Sequence, residues 1–201
     1  MPSYTIYANT GDGYISSTSG AYATAATGGS LSANSAASTA VIGQTLSTFY
    51  TCYEGFFDFN TSSVVGVVTS ATFNLHGSSD ASTTDFTMRC RLYNWGGTLT
   101  TADWIAYSAL GGNTLLATFA TSGFSTSGYN AFTENGTNLR DNISASTTSV
   151  VVSSSRQESL TTPTGDELVQ VFTANQSGTS QDPYLAITTA AATRVRGFFI
   201  G

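Results

Sequence analysis

The side chains that could do chemistry are few and scattered. His76 is the only histidine, and Cys52 and Cys90 are the only cysteines. Nucleophilic hydrolysis needs a base beside the nucleophile, so any such site would have to be built around His76. His76 falls on the polar parity near a strand end, where an exposed imidazole is the default expectation, and no nucleophile elbow is present. Carboxylates are more numerous. Glu54 and Asp58 share one face of a strand, with Asp103, Asp141, Glu158, Asp166 and Glu167 elsewhere. Four residues along a strand span about 13 Å, too far for a glycosidase pair unless the strand bends. Arg89 and Arg91 occupy the outward face of what can be a nearby strand, so cross-strand ion pairs with Glu54 and Asp58 are expected.

Metal and ligand chemistry is equally sparse. Calcium takes six to eight oxygen ligands, and no Asp-rich loop supplies them. A structural calcium is conceivable only if Asp12 and Asp182 meet across adjacent strands, and no other cofactor is expected. Trp95, Trp104, Tyr93 and Tyr107 cluster around a Gly-Gly loop. They could stack on a sugar ring, but Trp104 is expected rather to plug one end of the fold, as core or interface.

The stretch that must organise these residues is 54–76. Phe57, Phe59, Phe73 and Leu75 alternate with Asp58, Thr72, Asn74 and His76, the period-two signature of strands with one apolar face. Further strands are expected at 4–7, 14–16, 41–46, 49–59, 67–76, 85–93, 114–120, 129–132, 148–154, 168–174 and 183–188. The strands at 148–154 and 168–174 are apolar on both faces and therefore central. Residues 77–84 read as a loop. Short helices are expected at 100–107, opened by capping residues, and at 135–144. The fold class is all-β: a single antiparallel β-sandwich of jelly-roll type with two short helices, one domain over residues 1–201. Residues 19–40, nearly all Ala, Gly, Ser and Thr, form either an arm against a neighbouring subunit or a loop along the chain's own sandwich. Residues 194–201 form a tail. In it, Arg194, Arg196, Phe198 and Phe199 belong either to a docking arm or to an extra edge strand.

Composition narrows the class. Of 201 residues, 40% are apolar, enough for a core, yet only 9% are charged and none is Lys. Ser, Thr, Asn and Gly must cover the surface, which suits packing against other surfaces better than free diffusion. A net charge of −6 argues against non-specific nucleic-acid binding. No apolar run approaches the ~20 residues a membrane helix needs. The start lacks signal-peptide features, so synthesis and assembly in a cytoplasm are expected. Cys52 and Cys90 lie on opposite strand parities and are expected to be free thiols.

Several segments together resemble the DNRLRE-type (disaggregatase-related, carbohydrate-binding-like) jelly-roll domains. They are Asp12-Gly-Tyr-Ile15, Phe59-Asn-Thr-Ser-Ser-Val64, Thr69-Ser-Ala-Thr-Phe-Asn-Leu75 and Asp182-Pro-Tyr-Leu-Ala-Ile187. Tyr93-Asn-Trp95, Thr101-Ala-Asp-Trp104, Ser153-Ser-Ser-Arg-Gln157 and Pro163-Thr-Gly165 look like the variant found in phage structural proteins. Asn60 stands where that family has Asp, and Val64-Val65 replaces Ile-Pro. The resemblance implies a non-enzymatic virion protein, a bacteriophage capsid decoration or cement protein. Its partners would be the major capsid protein, other virion proteins and itself, as a homo-oligomer such as a trimer. It would be assembled in the host cytoplasm and located in the virion. The alternative is a carbohydrate-binding or adhesive module of a tail fibre or cell-surface protein. The residues placed at an interface or glycan contact are Trp95, Trp104, Tyr107, Arg194, Arg196, Phe198 and Phe199.

Overall fold

The computed structural model describes residues 1–190. Among them the fold is all-β, a curled antiparallel sheet of 13 strands. The strands are β1 (Ser3–Tyr7), β2 (Gly13–Ser19), β3 (Ser30–Asn34), β4 (Thr39–Leu46), β5 (Tyr50–Asn60), β6 (Val68–Asp80) and β7 (Thr87–Leu92). They continue as β8 (Leu115–Ala120), β9 (Tyr129–Ala131), β10 (Thr133–Glu134), β11 (Thr147–Ser154), β12 (Glu167–Phe172) and β13 (Tyr184–Thr189). The main path runs β1-β13-β6-β12-β4-β5-β11-β7-β8-β10. The sheet folds over on itself, so β5 faces β6 across the core without pairing with it. Phe73 of β6 lies 5.9 Å from both Phe57 and Phe59 of β5, ring centroid to ring centroid. Val150 and Val152 of β11, Leu185 and Ile187 of β13 and Val169 and Val171 of β12 complete this core. The alternation read from residues 54–76 thus delivers its apolar face to the interior as expected. β4 and β12 come very close at Gly43, whose φ is +129° and where a Cβ would sit 2.2 Å from the Glu167 carbonyl oxygen; only glycine fits.

Three differences from the sequence reading share one cause, namely cover on the outer face of β5. The first is the 19–40 segment. It lies along its own sheet, the second of its two expected courses, but as helix α1 (Tyr22–Gly28) and strand β3 rather than as a loop. The helix has no side-chain N-cap, and helices this short are not stable alone. It is held by packing Tyr22, Ala25 and Ala26 onto Cys52. The second is the expected helix at 100–107. Thr100 and Asp103 do form a capping box, but only the 3-10 turn Thr101–Asp103 follows. The Ile105 N–H is bonded to the Glu54 carboxylate at 3.2 Å instead of to a helix carbonyl, and α2 (Tyr107–Leu110) starts afresh. The third is the polar face of β5 itself. Glu54 and Asp58 are expected there in cross-strand ion pairs and Cys52 shares their parity, yet all three are buried.

The helix expected at 135–144 is present in shortened form as α3 (Asn138–Asp141), and α4 (Ser155–Glu158) is an addition, bringing the short α-helices to four among the described residues. β6 also runs through the expected loop to Asp80, because β12 pairs with it beyond a bulge.

Both thiols are buried, unbonded to each other, and in different clusters. Burial pushes Cys52 up to about 12 and also raises Cys90. Alkylation of the native protein at pH 8 should leave both unmodified, and unfolding should expose both to label. An intact mass showing the loss of two hydrogens, or rapid labelling without denaturant, would contradict this arrangement.

Candidate functional site

The outer face of β5 carries, in order, Cys52, Glu54, Phe56 and Asp58, since alternate residues of a strand share a face. Each meets a different cover. α1 lies over Cys52. Over Glu54 sit Ile105 and α4, with the Ile105 N–H at 3.2 Å and Gln157 Nε2 at 2.8 Å donating to the carboxylate. Burial pushes Glu54 up to about 8, against the pull of these two donors. Over Phe56 sit Trp95, Leu99, Ile105 and Leu110, together with Ile15 of β2 and Val151 of β11.

At Asp58 the cover ends. Asp58 forms one side of an open groove of about 570 Å³, with Leu92, Asn94, Gly96, Gly97, Ser144, Ser146, Thr147 and Ser149 around it. β5 and β11 pair so that Asp58 stands directly opposite Ser149, and Asn60 opposite Thr147. Asn9 Nδ2 donates to one Asp58 oxygen at 2.6 Å. Burial raises the Asp58 pKa and the Asn9 amide opposes the rise.

The expected ion pairs are rearranged. Arg89 and Arg91 both pair with Glu158 of α4, at 2.6 and 2.8 Å, not with Glu54 or Asp58. Ser153 Oγ donates to the same carboxylate, and these donors hold Glu158 below the ordinary range. The cause is register: β11 separates β7 from β5, so the arginines reach across Ser153 to α4 instead. A second carboxylate, Glu167, pairs with Arg156 at 2.6 Å.

His76 is buried rather than exposed. Its ring packs against Tyr129 and Phe172, centroids 5.0 and 5.5 Å away, and its Nδ1 lies 2.9 Å from the Gly77 carbonyl oxygen. β9 runs beside β6 here and turns the expected strand end into an interior position.

Asp12 is also buried, and its carboxylate accepts from the Ala174 N–H and Asn175 Nδ2, tying the start of β2 to the end of β12. Burial pushes it up to about 8, and the nearby charges of Asp58 and Asp182 push the same way. Among the described residues no group of three or more His, Cys, Asp or Glu side chains is placed to hold a metal.

Of the aromatic candidates, Trp95 is buried edge-on against Phe56, at 6.3 Å. Trp104 is half-buried and donates its Nε1–H to the Thr27 carbonyl of α1. Tyr107 packs beside the α1 cluster. These three rings hold the cover in place; Trp104 lies over the outer face of β5 rather than plugging one end of the fold. Arg194, Arg196, Phe198 and Phe199 lie outside the described residues.

The groove was not visible from the sequence. Its one legible signal was Asp58, an acid inside an otherwise apolar run. The chain is thus an all-β sandwich whose outer face is roofed along most of one strand and open at one end. No protein-family model matches it, and no curated protein does. Among the described residues no helix is long and apolar enough to cross a membrane.

Proposed function

We propose that the chain is a non-enzymatic virion structural protein that decorates or cements a bacteriophage capsid. It works as a homo-oligomer, with a trimer the arrangement we favour, seated on the major capsid protein and assembled in the host cytoplasm. The observation that carries this reading is the edge strand β1, Ser3–Tyr7. Among the described residues β1 pairs along its length with β13 alone. Freely diffusing sheet proteins blunt such edges with charges, above all Lys, or with bulges and Pro. β1 carries no charge, Pro or bulge, and exposes Ser3, Thr5 and Tyr7. At its base the exposed apolar side chains of Met1, Val65 and Val67 reach 87%, 68% and 74% accessibility. An unprotected edge with an apolar corner suits addition of a strand or surface from another chain. The order of the DNRLRE-like segments and the charge-poor surface support the same reading.

The variant Thr5→Lys/Val67→Lys places two charges on this corner, both at exposed positions. It should melt within a few degrees of the wild type yet lose self-association in sedimentation velocity and lose binding to empty capsids. A wild-type chain that sediments as a monomer and ignores capsids would sink the proposal.

A further inference from the structure

We propose that the cleft where α2 and α4 meet over β7 binds a monoanionic carboxylate group, held by a free fork of Arg89 beside the hydroxyls of Tyr107 and Ser108. The inference does not rest on the capsid reading. The cleft has a volume of about 330 Å³ and is bordered by Arg89, Arg91, Glu158, Tyr107 and Ser108. Its deepest group is fixed. The Arg91 side chain is 8% exposed. Its Nε and Nη2 donate to the two Glu158 oxygens at 2.8 Å, and its Nη1 donates to the Asn113 carbonyl at 2.7 Å. Arg89 is used differently. Nη1 alone is engaged, on Glu158 at 2.6 Å, and the side chain is 36% exposed. Its Nε and Nη2 form the same fork that Arg91 closes on a carboxylate. In Arg89 that fork has no partner among the described residues and is not occluded. The Tyr107 hydroxyl is likewise unpartnered and not occluded. Ser108 is exposed, and its hydroxyl has no partner among the described residues.

Charge selects the ligand. Two guanidiniums border the cleft against one carboxylate, Glu158. Glu54 is near enough to feel the charge of Glu158, but burial pushes it up to about 8, so at neutral pH it is largely protonated and adds little charge. The groups around the cleft therefore hold a surplus of one positive charge, on a chain whose net charge is −6. Arg156 and Arg140 offer no equivalent place: the first is neutralised by Glu167, and the second donates to the Thr69 carbonyl. Cations are repelled by the arginines. Phosphate brings a second negative charge, which Glu158, bonded to the same Arg89, opposes. A carboxylate brings one charge, and its two oxygens match the Nε–Nη2 fork of a guanidinium. The Tyr107 and Ser108 hydroxyls supply further donors to its remaining lone pairs. Glu158 on Arg91 is the same pairing made within the chain. A free carboxylic acid and the acidic side chain of a docked polypeptide share this chemistry.

The test is NMR titration of the full chain, following the Arg89 Nε–H and the Ser108 and Gly111 backbone amides. The probes are acetate, benzoate and α-amidated N-acetylglutamate, with phosphate, methyl acetate and methylammonium as comparisons. The carboxylates should bind with millimolar Kd, since an ion pair to a partly solvated arginine is weak. Benzoate as the tightest of the three would assign the cleft to a free carboxylic acid. The blocked glutamate as the tightest would assign it to an acidic side chain. Either order supports the proposal. Arg89→Lys keeps the charge but loses the fork, and should weaken acetate binding by about tenfold. Ser108→Ala, at an exposed position, should weaken it by about fivefold, the factor for one lost hydrogen bond. Unchanged melting of Ser108→Ala would show that its loss is local. No shift with acetate up to ~100 mM, far above a millimolar Kd, overturns the proposal. So does phosphate, methyl acetate or methylammonium binding as well as acetate, or wild-type affinity in both variants. Capsid attachment is a separate readout, so either reading can fail alone.

Discussion

Phe73→Ala should destabilise the protein by ~3–5 kcal/mol, the range for emptying a fully buried aromatic site. Phe73 has no exposed surface. Its ring meets Phe57 and Phe59 at 5.9 Å and Phe132 at 5.0 Å, and so joins β5, β6 and the residue that follows β9. Such a cavity has walls on three elements that cannot all move inward together, which puts the cost toward the top of the range. Chemical denaturation at neutral pH measures it. Phe59→Ala should behave alike, being equally buried. A loss under ~1 kcal/mol at Phe73 would mean that the site collapses freely or that the layers do not meet there.

Stability should fall, not rise, as the pH goes from 5 to 8. Burial holds Glu54 near 8 in the fold against an ordinary value of 4.5, and Asp12 near 8 against 3.8. Between those limits the folded chain keeps protons that the unfolded chain releases. The stabilisation is complete below the unfolded values and is lost as pH climbs toward the folded ones. The slope is about 1.4 kcal/mol per pH unit for each group fully in this regime. Glu158 has the opposite sign, since its folded pKa is lowered; it acts only at and below the ordinary carboxylate range and so does not offset the loss above pH 5. Glu54→Gln should flatten the curve and raise stability at pH 8. An uncharged amide can still accept from the Ile105 N–H. It can also offer a donor to Gln157, whose Oε1 is buried without a partner among the described residues. Urea unfolding at pH 5, 6.5 and 8 checks both statements. A wild-type stability that rises across this range, or a Glu54→Gln variant weaker than wild type at pH 8, would show that Glu54 is charged in the fold and held by its donors.

What the sequence by itself determined is the all-β class and the inner layer. Phe57, Phe59, Phe73 and Leu75 announce their face through period two, because a strand sends alternate side chains to opposite sides whatever its neighbours are. The separation of Cys52 from Cys90 follows from the same parity. Tertiary structure alone decided the other face of β5. Periodicity tells which residues can be buried together, but it does not tell whether a distant segment will cover the remainder. α1 gave no amphipathic signal, since Ala packs on Cys52 without a broad apolar stripe. Glu54 looked like a surface acid until Ile105 and Gln157 came over it, and His76 like a strand end until β9 ran beside it. The groove depends on the same accident of coverage. Asp58 and Ser149 are 91 positions apart in the chain and become neighbours only through the β5–β11 register. Their side chains stay accessible only because the roof stops at Gly96 and Gly97, a boundary set by packing between segments rather than by any local pattern.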